Sequence, residues 1–152
     1  VPVGEVGELS VRGPNVMKGY YQDRASTKRV LQEGWLYTGD VARRDQRGYY
    51  YIIDRKDDLM IVGGHNVYPR EIEEELYKID GISEAAVVGV HDQDYGEVPA
   101  AYIVYTDQVL DENDVKQQLA RHLASYKIPR YYYALTALPK SATGKILRHT
   151  LK

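Results

Sequence analysis

The 152-residue chain contains no cysteine and no phenylalanine, and it has a single tryptophan and two methionines. Without cysteine there can be no disulfides and no thiolate metal sites. Its four histidines, His65, His91, His122 and His149, are far apart in sequence, so a histidine metal cluster is not expected. No apolar run approaches the roughly 20 residues that a membrane helix requires. No signal peptide opens the chain, and cytoplasm is the expected compartment. Charge of one sign is missing as well: 20 basic residues face 22 acidic ones, for a formal charge of −2. That balance leaves no electrostatic footprint for nucleic acid.

Two nucleotide-binding signatures are also absent. Lys145 follows a glycine but precedes Ile146, and Pro139 stands where a P-loop needs its first glycine. Gly63-Gly64 follows a strand-like run but does not continue as G-x-G-x-x-G. The acidic stretch from Asp107 to Asp114 lacks calcium-loop spacing and reads as a solvated loop entering a capped helix.

What is present is ordinary soluble composition, 43% apolar and 28% charged, with an unusual 15 tyrosines. Strict alternation would turn some of these tyrosines inward, where each hydroxyl needs a partner. The opening Val1-Pro2-Val3-Gly4 reads as the middle of a strand-rich region, so the chain is expected to be part of something larger.

Glu8–Arg12 alternates as a strand, Asp23 caps a short helix reaching Leu31, and Trp35–Thr38 reads as a strand ending at Gly39-Asp40. Tyr49–Asp54 and Leu59–Val62 are apolar runs around the charged joint Asp54-Arg55-Lys56-Asp57-Asp58. At Pro69 the period changes. Proline suits a first helical position, and Ile72, Leu76 and Ile79 share one face. Glu84–Val90 and Ala100–Tyr105 are strand-like, and Asp111 caps a helix bearing Val115, Leu119 and Leu123. Ile128–Leu135 reads as a strand, and Ile146–Lys152 as a final helix. The expected fold is therefore α+β, with helices packed on a small sheet from residue 57 onward. Residues 1–56 are strands belonging elsewhere, and the seam lies at 54–58.

The segments GELSVRGPNVMKGYY, GWLYTGD, DRKDDLMIVGGHNVYPREIE, EAAVVGV and LPKSATGKILR resemble, in order and spacing, the adenylate-forming enzymes. That superfamily includes acyl-CoA synthetases, peptide-synthetase adenylation domains and luciferases. The resemblance covers essentially the whole chain. It implies that residues 1–56 are the β-rich end of a large AMP-binding domain and that residues 57–152 form the small mobile C-terminal domain. The reaction implied joins a carboxylic acid to ATP, with magnesium held through the part upstream, and then passes the acyl group to coenzyme A.

By the family's pattern Asp40 would hold the ribose hydroxyls of ATP or AMP, and Arg55 would contact the same ribose. Asp57 would be the hinge. Gly63 and Gly64 would lie on the thioester-forming face, where a side chain would obstruct the pantetheine arm. Lys145 would be the adenylation lysine, reaching between the acid's carboxylate and the α-phosphate. His65 falls where members vary and takes no role, and Asp45-Gln46-Arg47-Gly48 replaces a more usual acidic turn.

The wording leans toward medium- or long-chain fatty acid–CoA ligases. Two other readings stay open: an adenylation domain that loads a carrier-protein pantetheine, and, for the isolated chain, a non-catalytic fragment. In the second case strands 1–56 would expose edges and apolar surface, favouring partial disorder or self-association.

Overall fold

The computed structural model describes residues 1–151, which divide into two units, Val1–Asp57 and Asp58–Lys152. The first is built on strand β3 (Trp35–Arg44). Along one edge of β3 runs antiparallel β1 (Val6–Val11); its other edge pairs with β2 (Leu31–Gln32) and then β4 (Tyr50–Arg55). The short helix α1 (Arg24–Val30) begins where Asp23 accepts a hydrogen bond from the Ser26 amide at 2.9 Å. That bond holds the Asp23 carboxyl below its usual range. Asp45 closes the β3–β4 turn by accepting from the amides of Arg47 and Tyr49, both at 2.9 Å.

β3 does not stop at Gly39-Asp40, as its sequence suggests, but continues to Arg44 through a bulge. Glu8 pairs with Val41 and Ser10 with Tyr37, so Thr38, Gly39 and Asp40 together oppose Leu9. Of the described apolar residues in this unit only Val41 and Ala42 are buried, while Trp35, Tyr37, Tyr49, Tyr50, Tyr51 and Ile52 are exposed. A sheet with so little buried apolar area is poorly stabilised by its own packing.

In the second unit a hairpin of β5 (Met60–Val62) and β6 (His65–Val67) joins a long hairpin of β7 (Ile82–Asp92) and β8 (Gly96–Tyr105) through a Val62–Gly96 pair. β9 (Tyr131–Ala134) adds in parallel to β8. Helices α2 (Pro69–Leu76) and α3 (Glu112–Leu119) cover one face. There Ala85, Val87, Ala101 and Ile103 meet Ile72, Leu76, Val115 and Leu119. The intervening residues Ala86 and Val88, with Tyr102 and Val104, point to the opposite face, as strand alternation requires. That face is covered by Leu135, Leu138, Ile146 and Leu151. Both faces are therefore buried, which explains why Ala85–Val88 reads as an unbroken apolar run.

β7 is an edge strand, and α2 closes it. Glu73 accepts the Val87 amide at 2.8 Å, and the Tyr77 hydroxyl donates to the Ala85 carbonyl at 3.3 Å. The segment from Ile146, expected as a helix, is instead a bridge to Lys140 followed by one 3₁₀ turn over Arg148–Thr150; Lys152 lies outside the described residues. The physical reason is the second face of the sheet: Ile146 and Leu151 are apolar because they cap it, with no helical register needed. Leu123 is buried as expected, but beyond the end of α3.

The tyrosine excess leaves one measurable cost. Tyr132 packs against the main core, its hydroxyl is buried without a hydrogen-bond partner, and burial pushes its pKa up. Tyr132→Phe is expected to raise stability by about 1 kcal/mol, because an unmet hydroxyl disappears with little change of shape. Thermal unfolding of the two proteins checks this; an unchanged or lower Tm would mean the hydroxyl is satisfied in solution.

Candidate functional site

In the first unit the β3 bulge does specific work. The Thr38 hydroxyl donates to the Leu9 carbonyl at 2.9 Å and accepts the Asp40 amide at 3.0 Å, which fixes the bulge from within. Gly39, at φ +73°, lets the chain turn there, and a Cβ at that position would stand 3.0 Å from the Arg55 guanidinium. The bulge brings Asp40 opposite Arg55 of β4, whose Nη1 donates to Asp40 Oδ1 at 2.7 Å and to the Thr38 carbonyl at 3.1 Å. The two expected ribose-contacting residues thus meet in an ion pair that is half exposed on the arginine side. Beside it opens a cleft of about 760 Å³ whose wall includes Glu8, Tyr20, Thr38, Gly39, Arg55 and Lys56. A hydrogen bond to Glu8 at 2.7 Å, together with that carboxylate's charge, raises the pKa of Lys56.

Asp57, the expected hinge, sits in a 3₁₀ turn over Lys56–Asp58 and is the last residue of the first unit.

In the second unit Gly63 and Gly64 form the two-residue turn of the β5–β6 hairpin. Both have positive φ, +54° and +84°, as a primed hairpin turn demands. A Cβ on Gly64 would meet nothing within 4 Å, and one on Gly63 would make only an ordinary contact with Tyr95. The reason for glycine in the folded unit is therefore backbone conformation, which sequence reasoning missed along with the hairpin itself. The Gly63 amide donates to the Tyr95 carbonyl at 3.2 Å, tying the turn to the β7–β8 connection. His65, at the exit of the hairpin, stacks on Tyr126 with ring centroids 4.3 Å apart.

Lys145 stands on a second turn. The Ser141 amide donates to the Lys145 carbonyl and the Gly144 amide to the Ser141 carbonyl, at 2.8 and 2.9 Å. The Lys145 amide donates to the Ser141 hydroxyl at 3.2 Å, and the Leu147 amide closes the base of the loop on the Pro139 carbonyl at 2.8 Å. One foot is pinned to β7 by Lys140 on Glu84. The other is pinned to α2 by Arg148, whose Nη2 donates to both Glu73 oxygens at 2.8 and 2.7 Å. The tip, with Lys145, stays exposed. Neither anchor was legible beforehand, since the partners lie 56 and 75 residues away.

Asp40 and Arg55 thus come together in one unit, while Gly63-Gly64 and Lys145 belong to the other. Within the second unit the last two are rooted apart. The glycine turn is tied to Tyr95, next to the turn end of the β7–β8 hairpin, and the lysine loop to Glu84 near its open end. Glu84 and Asp92 are eight residue steps apart along β7, about 26 Å at roughly 3.3 Å per residue. Among the described residues no group of three His, Cys, Asp or Glu side chains converges on a metal position.

Residues 71–145 match the AMP-binding enzyme C-terminal domain family. The chain belongs to the adenylate-forming superfamily. Among curated relatives of this superfamily, it is 43% identical to the 2-succinylbenzoate–CoA ligase of Oceanobacillus iheyensis over 147 residues, covering 97% of the chain and 30% of the relative. It is 46% identical over 148 residues to the long-chain-fatty-acid–CoA ligase of Bacillus subtilis, covering 97% of the chain and 26% of that protein. The solved o-succinylbenzoate CoA synthetase of Bacillus subtilis, in complex with its acyl-adenylate intermediate, superposes with a TM-score of 0.95 at 39% identity. The match covers all of this chain and 31% of that one, and the same synthetase has also been solved with ATP and a magnesium ion. The chain therefore spans about 30% of the length of the adenylate-forming relatives it matches.

Proposed function

We propose that this chain is the C-terminal portion of an ATP-dependent acyl-CoA ligase, which joins a carboxylic acid to ATP and then transfers the acyl group to coenzyme A. The observation that carries this reading is the lysine turn braced at both feet, in a unit superposable on a synthetase that holds an acyl adenylate. Residues 1–57 then belong to the large domain, and residues 58–152 swing against it about Asp57.

In adenylation, Lys145 places its ammonium between the substrate carboxylate and the α-phosphate, where negative charge concentrates as the acid attacks. The attack forms the acyl–phosphate bond and releases pyrophosphate with its electron pair. Asp40 accepts hydrogen bonds from the ribose hydroxyls. Arg55, already bonded to Asp40, holds that carboxylate in place and adds its own donors to the ribose. Magnesium accompanies ATP and is held through groups outside these residues.

In the second half-reaction the unit presents the Gly63-Gly64 turn, and the thiolate of coenzyme A displaces AMP from the acyl adenylate. The acid itself is not chosen here. Relatives of nearly equal identity act on 2-succinylbenzoate and on long-chain fatty acids, so the fatty-acid lean of the sequence gains no support.

The test is ATP–pyrophosphate exchange by the full-length protein with a panel of carboxylic acids including 2-succinylbenzoate and palmitate, followed by thioester formation with coenzyme A. Exchange that depends on one of these acids, with a CoA thioester as product, is the expected result. Transfer to a carrier-protein pantetheine in place of coenzyme A would select the adenylation-domain reading.

The two requirements on Gly64 can be separated. Asparagine tolerates positive φ, so Gly64→Asn is expected to fold nearly as well as wild type, whereas Gly64→Ala strains the turn by about 1–2 kcal/mol. If Gly64 also admits the pantetheine arm, both variants lose thioester formation while exchange persists. Full thioester activity in Gly64→Asn would reduce the glycine to a turn residue.

A further inference from the structure

Arg148 lies three residues beyond Lys145, at the foot of its loop. Its guanidinium grips the Glu73 carboxylate through Nη2, at 2.8 and 2.7 Å, while Nη1 lies 3.8 Å from Asp58, the first residue of the second unit. Glu73 is itself fixed, because it is buried on α2 and accepts the Val87 amide of β7 at 2.8 Å. The same foot is held by the Leu147 amide on the Pro139 carbonyl and by Ile146 and Leu151 packed on the outer face of the sheet. Between Arg148 and the lysine stand only Ile146 and Leu147, one bridged to Lys140 and the other bonded to Pro139.

We propose that Arg148 is a positioning residue for adenylation, locking the loop that carries Lys145 onto α2 through Glu73. The proposal rests on the reading of Lys145 given above. A lysine on a five-residue turn can place its ammonium within a few tenths of an ångström only if the base of the turn does not move. Arginine suits the task better than lysine because one rigid, planar group holds Glu73 through Nη2 while its Nη1 is turned toward Asp58, which fixes orientation as well as distance. Arg148→Lys keeps the charge opposite the buried carboxylate but gives up that orientation. It is therefore the informative variant, since Arg148→Ala would leave Glu73 buried without its cation and compromise folding.

The experiment is a cycle of Arg148→Lys, Lys145→Ala and the double variant in the full-length ligase, scored by ATP–pyrophosphate exchange and by thioester formation from supplied acyl adenylate. Arg148→Lys is expected to lower exchange about 10- to 100-fold through misplacement of the ammonium, with thioester formation unchanged. In the Lys145→Ala background it is expected to add nothing, because the group it positions is gone. Hydrogen exchange provides the second reading. The Ser141 and Leu147 amides should lose protection in Arg148→Lys while those of β7 and β8 keep theirs.

Equal loss in both half-reactions, an additive loss in the Lys145→Ala background, or unchanged protection at Ser141 and Leu147 would each overturn the positioning role. Lys145→Ala alone separates the two failures. Full exchange activity in that variant removes the Lys145 reading and the positioning role of Arg148 with it, whereas a Lys145 effect to which Arg148→Lys adds independently overturns the positioning role only.

Discussion

In the full-length protein, the role proposed for Lys145 predicts that Lys145→Ala reduces carboxylate-dependent ATP–pyrophosphate exchange by about 10²–10³, the usual consequence of removing one preorganised group that meets developing charge. The size follows from where that charge sits. The attacking carboxylate and the α-phosphate are both anionic, and their approach in a site that excludes water raises the value of a cation between them. The effect belongs in the exchange rate and should leave affinity for ATP nearly untouched, because the Asp40–Arg55 pair is a separate contact in the other unit. Lys145→Arg is expected to recover little. A planar guanidinium on a turn whose base is fixed at Lys140 and Arg148 cannot occupy the position of a point charge.

The second large effect is on stability. Glu73→Ala is expected to destabilise the second unit by about 3 kcal/mol, the scale for removing one partner of a buried ion pair. For a domain of this size that lowers Tm by roughly 10–20 °C. Three losses combine: the Val87 amide on the open edge of β7 goes unpaired, the Arg148 Nη2 loses the carboxylate whose two oxygens it contacts, and the terminal segment comes away from α2. Glu73→Gln should fall between, because its amide oxygen still accepts from Val87. Pairing Glu73→Leu with Arg148→Met should return most of the stability, since apolar residues replace such pairs well. Differential scanning calorimetry on the set checks the ordering. Glu73→Ala melting with wild type would mean that the pair is not formed in solution.

Much of the second unit was legible because its signals are local. Pro69 and the spacing of Ile72, Leu76 and Ile79 announce α2, and the apolar run through Val87 and Val88 announces a strand, though not that both its faces are covered. What escaped notice depends on distant partners. Gly39-Asp40 looks like a strand end, because glycine before aspartate usually closes a strand. Only the Leu9 carbonyl and the Arg55 side chain, 29 and 15 residues from their partners Thr38 and Asp40, make it a bulge. Ile146–Leu151 has helix-like apolar spacing that in fact serves the outer face of a sheet. The site residues followed the same division. Lys145 and the paired glycines could be named from motif wording. The anchors Glu73, Glu84 and Arg148 could not, since a charged residue gives no sequence signal of the partner it will meet across the fold.

The central claim, that one small unit serves two half-reactions with two separate elements, is tested most directly by giving Lys145→Ala a preformed acyl adenylate and coenzyme A in a single turnover. Thioester formation at the wild-type rate, in a variant whose pyrophosphate exchange has collapsed, is the expected result. A parallel loss in both steps would contradict the account, because Lys145 would then serve a single shared site and the glycine turn would present no face of its own.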